Sequence, residues 1–246
     1  KGYIGSSILR ELKINKMKVL CLKNRMNEIE SISKLIKIYK PKYFINAAGL
    51  TGIGSVKWCN DNKKETLMTN VIEQIGILNM CNKYNVHCTL IGSGAIYKDS
   101  IIEKTEEDKG DLISEYYSEC RIMLEEMVSN FENYLFLRMN YPISKKENPK
   151  NLLTKLKNYN QIDNIKLSIT NLDSLCPIMI KMIEHNKTGK FNFVNKGQIE
   201  IPKILEIINI NKEIKSSNRE SIKLNTDKLE KIYNIETIEQ SLMSNL

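Results

Sequence analysis

Short apolar runs alternate with longer amphipathic stretches along this chain, and that alternation restricts its fold more than any other feature. Strands are expected at Lys18–Leu22, Tyr43–Ala47, His87–Ile91, Tyr134–Arg138 and Lys190–Val194. Helical spacing runs through Gly5–Leu12, Glu28–Tyr39, Lys64–Tyr84, Ser114–Phe131, Leu172–Glu184 and Pro202–Ile208. Strands separated by helices build a mostly parallel sheet, so the expected class is α/β with a doubly wound sheet. The segment Pro142–Pro149 breaks the alternation. It divides the chain into a main domain, 1–141, and a small lobe, 142–246, some of whose segments return to the sheet.

With 246 residues and 41% hydrophobic content, the chain has enough apolar matter for a core, which excludes disordered and collagen-like classes. No apolar run approaches the roughly 18 residues of a membrane helix, and no secretory leader opens the sequence. These features predict a soluble, cytoplasmic protein. The 37 Lys and Arg against 29 Asp and Glu give +8, but the lysines are scattered and no nucleic-acid-binding signature accompanies them. A general compositional bias explains most of this balance, and a small anionic ligand would suit it equally. The six cysteines, at 21, 59, 81, 88, 120 and 176, form no C-x-x-C pair, and the histidines are His87 and His185. No metal site is expected, and the thiols read as reduced core residues.

The opening Lys1-Gly2-Tyr3-Ile4-Gly5-Ser6-Ser7 reads as the second half of a dinucleotide-binding glycine-rich turn entering a helix. The strand and glycine that usually precede such a turn are missing, as is an initial Met, so an incomplete N-terminus is the expectation. An ordinary helix start is the competing reading. Strand Tyr43–Ala47 runs into Asn46-Ala47-Ala48-Gly49-Leu50-Thr51-Gly52, where small residues let a dinucleotide backbone approach closely.

Together with Ser93 and the Tyr117 helix, these motifs resemble the extended short-chain dehydrogenase/reductase superfamily, with its Rossmann-like fold. Lys40–Gly52, Trp58-Cys59, Thr69-Asn70-Val71, Arg138, Pro142-Ile143-Ser144, Asn148-Pro149 and Leu172-Asp173 narrow the resemblance to the nucleotide-rhamnose synthase and 4-keto-6-deoxysugar epimerase/reductase branch. The resemblance implies NADPH-dependent reduction of a nucleoside-diphosphate 4-keto-6-deoxysugar to a rhamnose-type sugar. It implies cofactor contacts at Gly2, Tyr3, Ile4, Gly5, Arg25, Asn46, Ala47, Ala48, Gly49 and Asn70, and substrate contacts at Thr51, Arg138, Asn140 and Asn151. Arg25, with Lys23, follows the expected strand Lys18–Leu22, a place where a cation favours a ribose 2′-phosphate; solvated loop charges are the alternative.

The superfamily's catalytic set is a hydroxyl, a Tyr and a Lys four residues after it. Ser93 and Tyr117 match the first two, and Arg121 stands at the third. Tyr117 and Arg121 share a helix face one turn apart. A phenol that transfers its proton near neutrality needs about 3–4 kcal/mol of phenolate stabilisation, roughly what a cation at about 4 Å supplies at an effective dielectric near 20. Arg121 meets that need but cannot readily release a proton, and its planar fork does not superimpose on an ammonium. Weakened or absent activity is the expectation. The cysteine that bifunctional relatives carry two residues after the hydroxyl is Ala95 here, so epimerisation is expected to be lost or supplied by a partner enzyme. Asn140 stands where the family has a basic residue, which loosens the expected grip on substrate. The rival reading is a degenerate member that binds a dinucleotide or a protein without catalysis; a homodimer is compatible with either.

Overall fold

The computed structural model describes residues 2–98, 102–217 and 221–245. Lys1 of the opening motif lies outside them.

The chain begins with α1 (Tyr3–Ile14), whose Tyr3, Ile8 and Leu12 form a buried stripe at helical spacing and whose Lys13 sits favourably in the last turn. Met17–Lys23 then runs without a ladder partner among the described residues. The expected strand Lys18–Leu22 is therefore absent. Its apolar residues satisfy the pattern, but a strand exists only where a neighbour accepts its backbone hydrogen bonds. Cys21, on this segment, is exposed, unlike the other five cysteines, which are buried.

Helix α2 (Ile29–Tyr39) ends on Lys40, which takes a left-handed φ of 44° and donates its N–H to the Ile36 carbonyl; Pro41 then bars continuation. Strand β1 (Tyr43–Asn46) follows. Next come α3 (Trp58–Asp61) and a continuous helical stretch made of α4 (Lys63–Leu67), a π-helical turn (Met68–Ile72) and α5 (Glu73–Lys83). Strand β2 (His87–Ser93), helix α6 (Tyr116–Val128) and strand β3 (Tyr134–Met139) complete the first part.

The second part holds α7 (Leu152–Asn158), β4 (Gln161–Asp163), β5 (Lys166–Leu167), α8 (Leu172–Glu184), β6 (Gly189–Asn192), β7 (Ile199–Glu200), α9 (Ile201–Ile207), β8 (Glu213–Lys215), α10 (Asp227–Glu230) and α11 (Ile238–Asn245). Among the described residues the main sheet is parallel, in the order β1-β2-β3-β6, with Tyr43 opposite His87, Ser93 opposite Met139 and Arg138 opposite Asn192. β4 pairs with β8, and β5 with β7.

β3 shows why this sheet needs helices on both faces. Leu135, Leu137 and Met139 pack with α1 and α8, whereas Tyr134 and Phe136 pack with α2, α5 and α6. Thus β6, from beyond residue 141, belongs to the sheet, and α8 packs on it. A further core gathers Ile143, Leu153, Leu156, Ile169, Ile199, Ile204, Ile238 and neighbours, all from beyond residue 141. Among the described residues β1 and β6 are the edge strands, and Tyr43, Phe44 and Ile45 of β1 are only partly buried. No helix among the described residues is long and apolar enough to cross a membrane.

Candidate active site

The carboxyl ends of parallel strands are where open α/β sheets bind ligands, and here the end of β2 meets the start of α6. Ser93 closes β2. Its Oγ accepts the Ala95 N–H at 3.1 Å, which leaves the hydroxyl proton available. α6 is fastened to the same strand end by two side chains: Ser118 Oγ donates to the Ala95 carbonyl at 2.6 Å, and Arg121 Nη2 donates to the Ile91 carbonyl. Tyr117, beside Ser118, is partly exposed. The start of α6 is held from outside as well. Asn60 accepts the Tyr116 N–H at 2.8 Å and donates to the Glu115 carboxylate at 3.3 Å.

Arg121 is buried and turned into the β2 backbone, and its Nε has no partner among the described residues. A buried donor of this kind costs about 1–3 kcal/mol unless something accepts from it.

The turn after β1 is braced from below. Asn70, in the π-helical turn, accepts the Leu50 N–H at 2.9 Å and donates to the Leu50 carbonyl at 2.8 Å. Asn46 accepts the Ala48 N–H and donates to Gln74 at 2.7 Å, while Gln74 donates to the Ala48 carbonyl at 2.8 Å. Asn46 and Asn70 therefore shape the turn through its backbone. Gln74 does the same work and was not anticipated, although its place four residues after Asn70 on a helical stretch was a signal for it. A Cβ on Gly5 would lie 3.4 Å from that of Ala47, so the N-terminus of α1 and the end of β1 approach closely. At Gly2 an added Cβ would meet nothing within 4 Å, which leaves the backbone there open to a ligand.

Tyr3 and Ile4, two other expected contacts, are engaged in the interior, whereas Arg25 is not. Tyr3 is buried and donates its hydroxyl to Ser144 at 2.9 Å; burial pushes its phenol well above the ordinary range, even though that hydrogen bond pulls the other way. Ile4 packs against the core. Arg25 is exposed, and its guanidinium has no hydrogen-bond partner among the described residues.

Arg138 is fully buried. Its Nε and Nη2 donate to both Glu125 oxygens, and its Nη1 and Nη2 also donate to the carbonyls of Thr105, Glu106 and Asp108 and to Asn192. Burial alone would lower its pKa, but the hydrogen bonds and charge of Glu125 outweigh burial and hold it above its ordinary value. Asn140 donates to the Ser168 carbonyl, and Asn151 caps α7 while donating to the carbonyls of Ser144 and Lys146. Arg138, Asn140 and Asn151, which were expected to face substrate, are thus engaged by partners inside the protein, because a buried polar group must find a partner and backbone carbonyls supply it. Thr51, by contrast, is exposed beyond the braced turn and accepts from Lys150 Nζ at 3.1 Å. No cluster of metal-binding side chains occurs among the described residues.

With this geometry in view, the comparisons are specific. The chain is 36% identical over 191 residues to a bifunctional dTDP-4-dehydrorhamnose 3,5-epimerase/dTDP-4-dehydrorhamnose reductase of Arabidopsis thaliana, an alignment covering 74% of this chain and 64% of that protein. It is similar to the L780 UDP-rhamnose synthase of Acanthamoeba polyphaga mimivirus, whose crystal structure superposes with a TM-score of 0.88 at 26% identity over 99% of this chain and 94% of that one. A dTDP-4-dehydrorhamnose reductase from Clostridium acetobutylicum shares the fold, with a TM-score of 0.84 at 16% identity over 100% and 95% of the two chains. The chain spans only 29% of a trifunctional Arabidopsis thaliana relative and less than two thirds of the bifunctional one. Residues 1–159 match the NAD dependent epimerase/dehydratase family, so this chain belongs to that family.

Proposed function

We propose that the protein reduces the 4-keto group of a nucleoside-diphosphate 4-keto-6-deoxysugar, with NADPH as reductant. The observation that carries this reading is the junction of β2 and α6: a Ser93 hydroxyl with its proton available, next to a helix that bears Tyr117 and is tied to the same strand end by Ser118 and Arg121. The relatives named for rhamnose-forming reductases support the substrate class.

The residues present fit a dinucleotide. Gly2 and the N-terminus of α1 would receive its pyrophosphate, Ala47, Ala48 and Gly49 would flank it, and Arg25 would meet a 2′-phosphate. The unpartnered Nε of Arg121 is a donor for a ribose hydroxyl. When bound, NADPH supplies the hydride that reduces the ketone carbon. Tyr117 gives its phenolic proton to the ketone oxygen, and Ser93 donates a hydrogen bond to the same oxygen. Epimerisation has no matching support. Ala95 has no proton to move, and the thiols of Cys59 and Cys88 are fully buried.

The test is to mix the protein with NADPH and a dTDP- or UDP-linked 4-keto-6-deoxysugar and follow loss of reduced-nicotinamide absorbance, with product identification. Consumption with a 6-deoxysugar product supports the reading. NADPH binding without consumption would favour a non-catalytic member of the family, and absence of both would overturn the proposal. Arg121→Lys is expected to raise turnover about tenfold, equivalent to about 1.4 kcal/mol of barrier, since an ammonium is a compact charge that suits both the phenol and a ribose. Arg25→Ala is expected to raise KM for NADPH about tenfold and to leave KM for NADH within about twofold, because only the former carries the phosphate that the guanidinium binds.

A further inference from the structure

We infer that Lys150 is the cation that receives the diphosphate of the nucleotide-sugar, and that its bond to Thr51 is the resting form of that contact. The inference rests on the reading above. Diphosphate recognition demands positive charge, and the arginine expected to supply it from the sheet, Arg138, has its guanidinium engaged inside the core. Asn140 and Asn151 carry no charge and are likewise turned inward.

Lys150 differs from these in every respect. It is exposed, and its ammonium reaches from the loop that opens the small lobe to Thr51, which follows the braced turn at the carboxyl end of β1. The described partner is a neutral hydroxyl rather than a carboxylate. Nearby Lys157, by comparison, is neutralised by Glu147 at 2.7 Å.

The loop is built to aim Lys150. Asn148 Oδ1 accepts the Lys150 N–H at 2.9 Å, Asn148 N–H bonds Thr154 Oγ1 at 3.2 Å, and Asn151 clamps the carbonyls of Ser144 and Lys146. A phosphate oxygen would replace Thr51 as acceptor and convert a charged-to-neutral hydrogen bond into a charged pair, which is the stronger interaction.

The experiment compares Lys150→Met, Lys150→Arg and, as a charge control, Lys157→Met in the whole protein. Binding of UDP, dTDP and NADPH is measured by calorimetry, and KM and kcat with the 4-keto nucleotide-sugar. Lys150→Met is expected to weaken UDP or dTDP binding and raise the sugar-nucleotide KM by about 10- to 100-fold, with kcat and NADPH affinity within about twofold, while Lys150→Arg recovers most of the loss. Lys157→Met should change none of these. Unaltered UDP and dTDP binding in Lys150→Met would overturn the inference while leaving the proposed reaction standing, and so would a loss confined to NADPH, which would assign the cation to the cofactor's pyrophosphate. If the parent protein binds neither UDP nor dTDP, the inference and the reading beneath it fall together.

Discussion

Tyr117→Phe should lower kcat for the 4-keto nucleotide-sugar by about 10²- to 10⁴-fold, the usual share of a positioned general acid, with NADPH affinity within about twofold. Phe keeps the ring and its packing on α6 and removes only the proton. Ser93→Ala should cost less, about 10²-fold, because it removes a hydrogen bond to the developing oxyanion rather than the proton source. Steady-state kinetics with calorimetric NADPH binding checks both. A Tyr117→Phe protein that keeps parental turnover would exclude the phenol as acid and move attention to another donor.

The second large effect concerns stability. Glu125→Leu should destabilise the protein by about 3–5 kcal/mol, since it leaves the Arg138 guanidinium buried without its counter-ion. For a chain of this size, about 2–4 °C of Tm per kcal/mol places the drop at about 6–20 °C. Glu125 closes a network that joins α6, β3, β6 and the loop at 104–108: Arg138 bonds the loop carbonyls, Lys190 lies 3.6 Å from Glu125, and Glu106 accepts the Asn192 N–H at 2.8 Å. Tyr97 lies against the guanidinium at 5.6 Å and donates to the Asp108 carbonyl; burial raises its phenol above the ordinary range despite the pull of Arg138. Pairing Glu125→Leu with Arg138→Met should recover only part of the loss, because the Glu106 carbonyl then lacks its donor. Chemical denaturation of the single and double variants measures the difference. A single variant within 1 kcal/mol of the parent, on the order of a neutral surface change, would show that the pair is dispensable.

The four strands of the main sheet were legible because a strand covered on both faces is a nearly continuous apolar run, and Leu135, Phe136 and Leu137 announce themselves. Lys18–Leu22 carries the same signal and forms no ladder, since pairing depends on a neighbour that local sequence does not encode. β5 and β7 have two residues each, too few for any period to register.

In the proposed site, spacing singled out Ser93 and Tyr117. It did not reveal which way a polar side chain turns: Asn151 is the same residue type whether it faces a sugar or caps α7, and only the surrounding carbonyls decide. Lys150 was passed over for a related reason. A lysine in a lysine-rich chain carries no local mark, and its meaning comes from the hydroxyl that lies 3.1 Å away and 99 positions earlier.

The π-helical turn at Met68–Ile72 has a mechanical consequence. An α-helix advances about 100° per residue, and one wider turn resets the angle between the helical segments on either side of it. Asn70 grips Leu50 from inside that turn, and Gln74 grips Ala48 and Asn46 just past it. Deleting a single residue there would straighten the coil and rotate one amide by about 100° relative to the other, so the two could no longer hold the same loop. The helix thus acts as a vernier whose length is fixed to the residue, and natural variation in chain length should collect in the outer loops and avoid this joint.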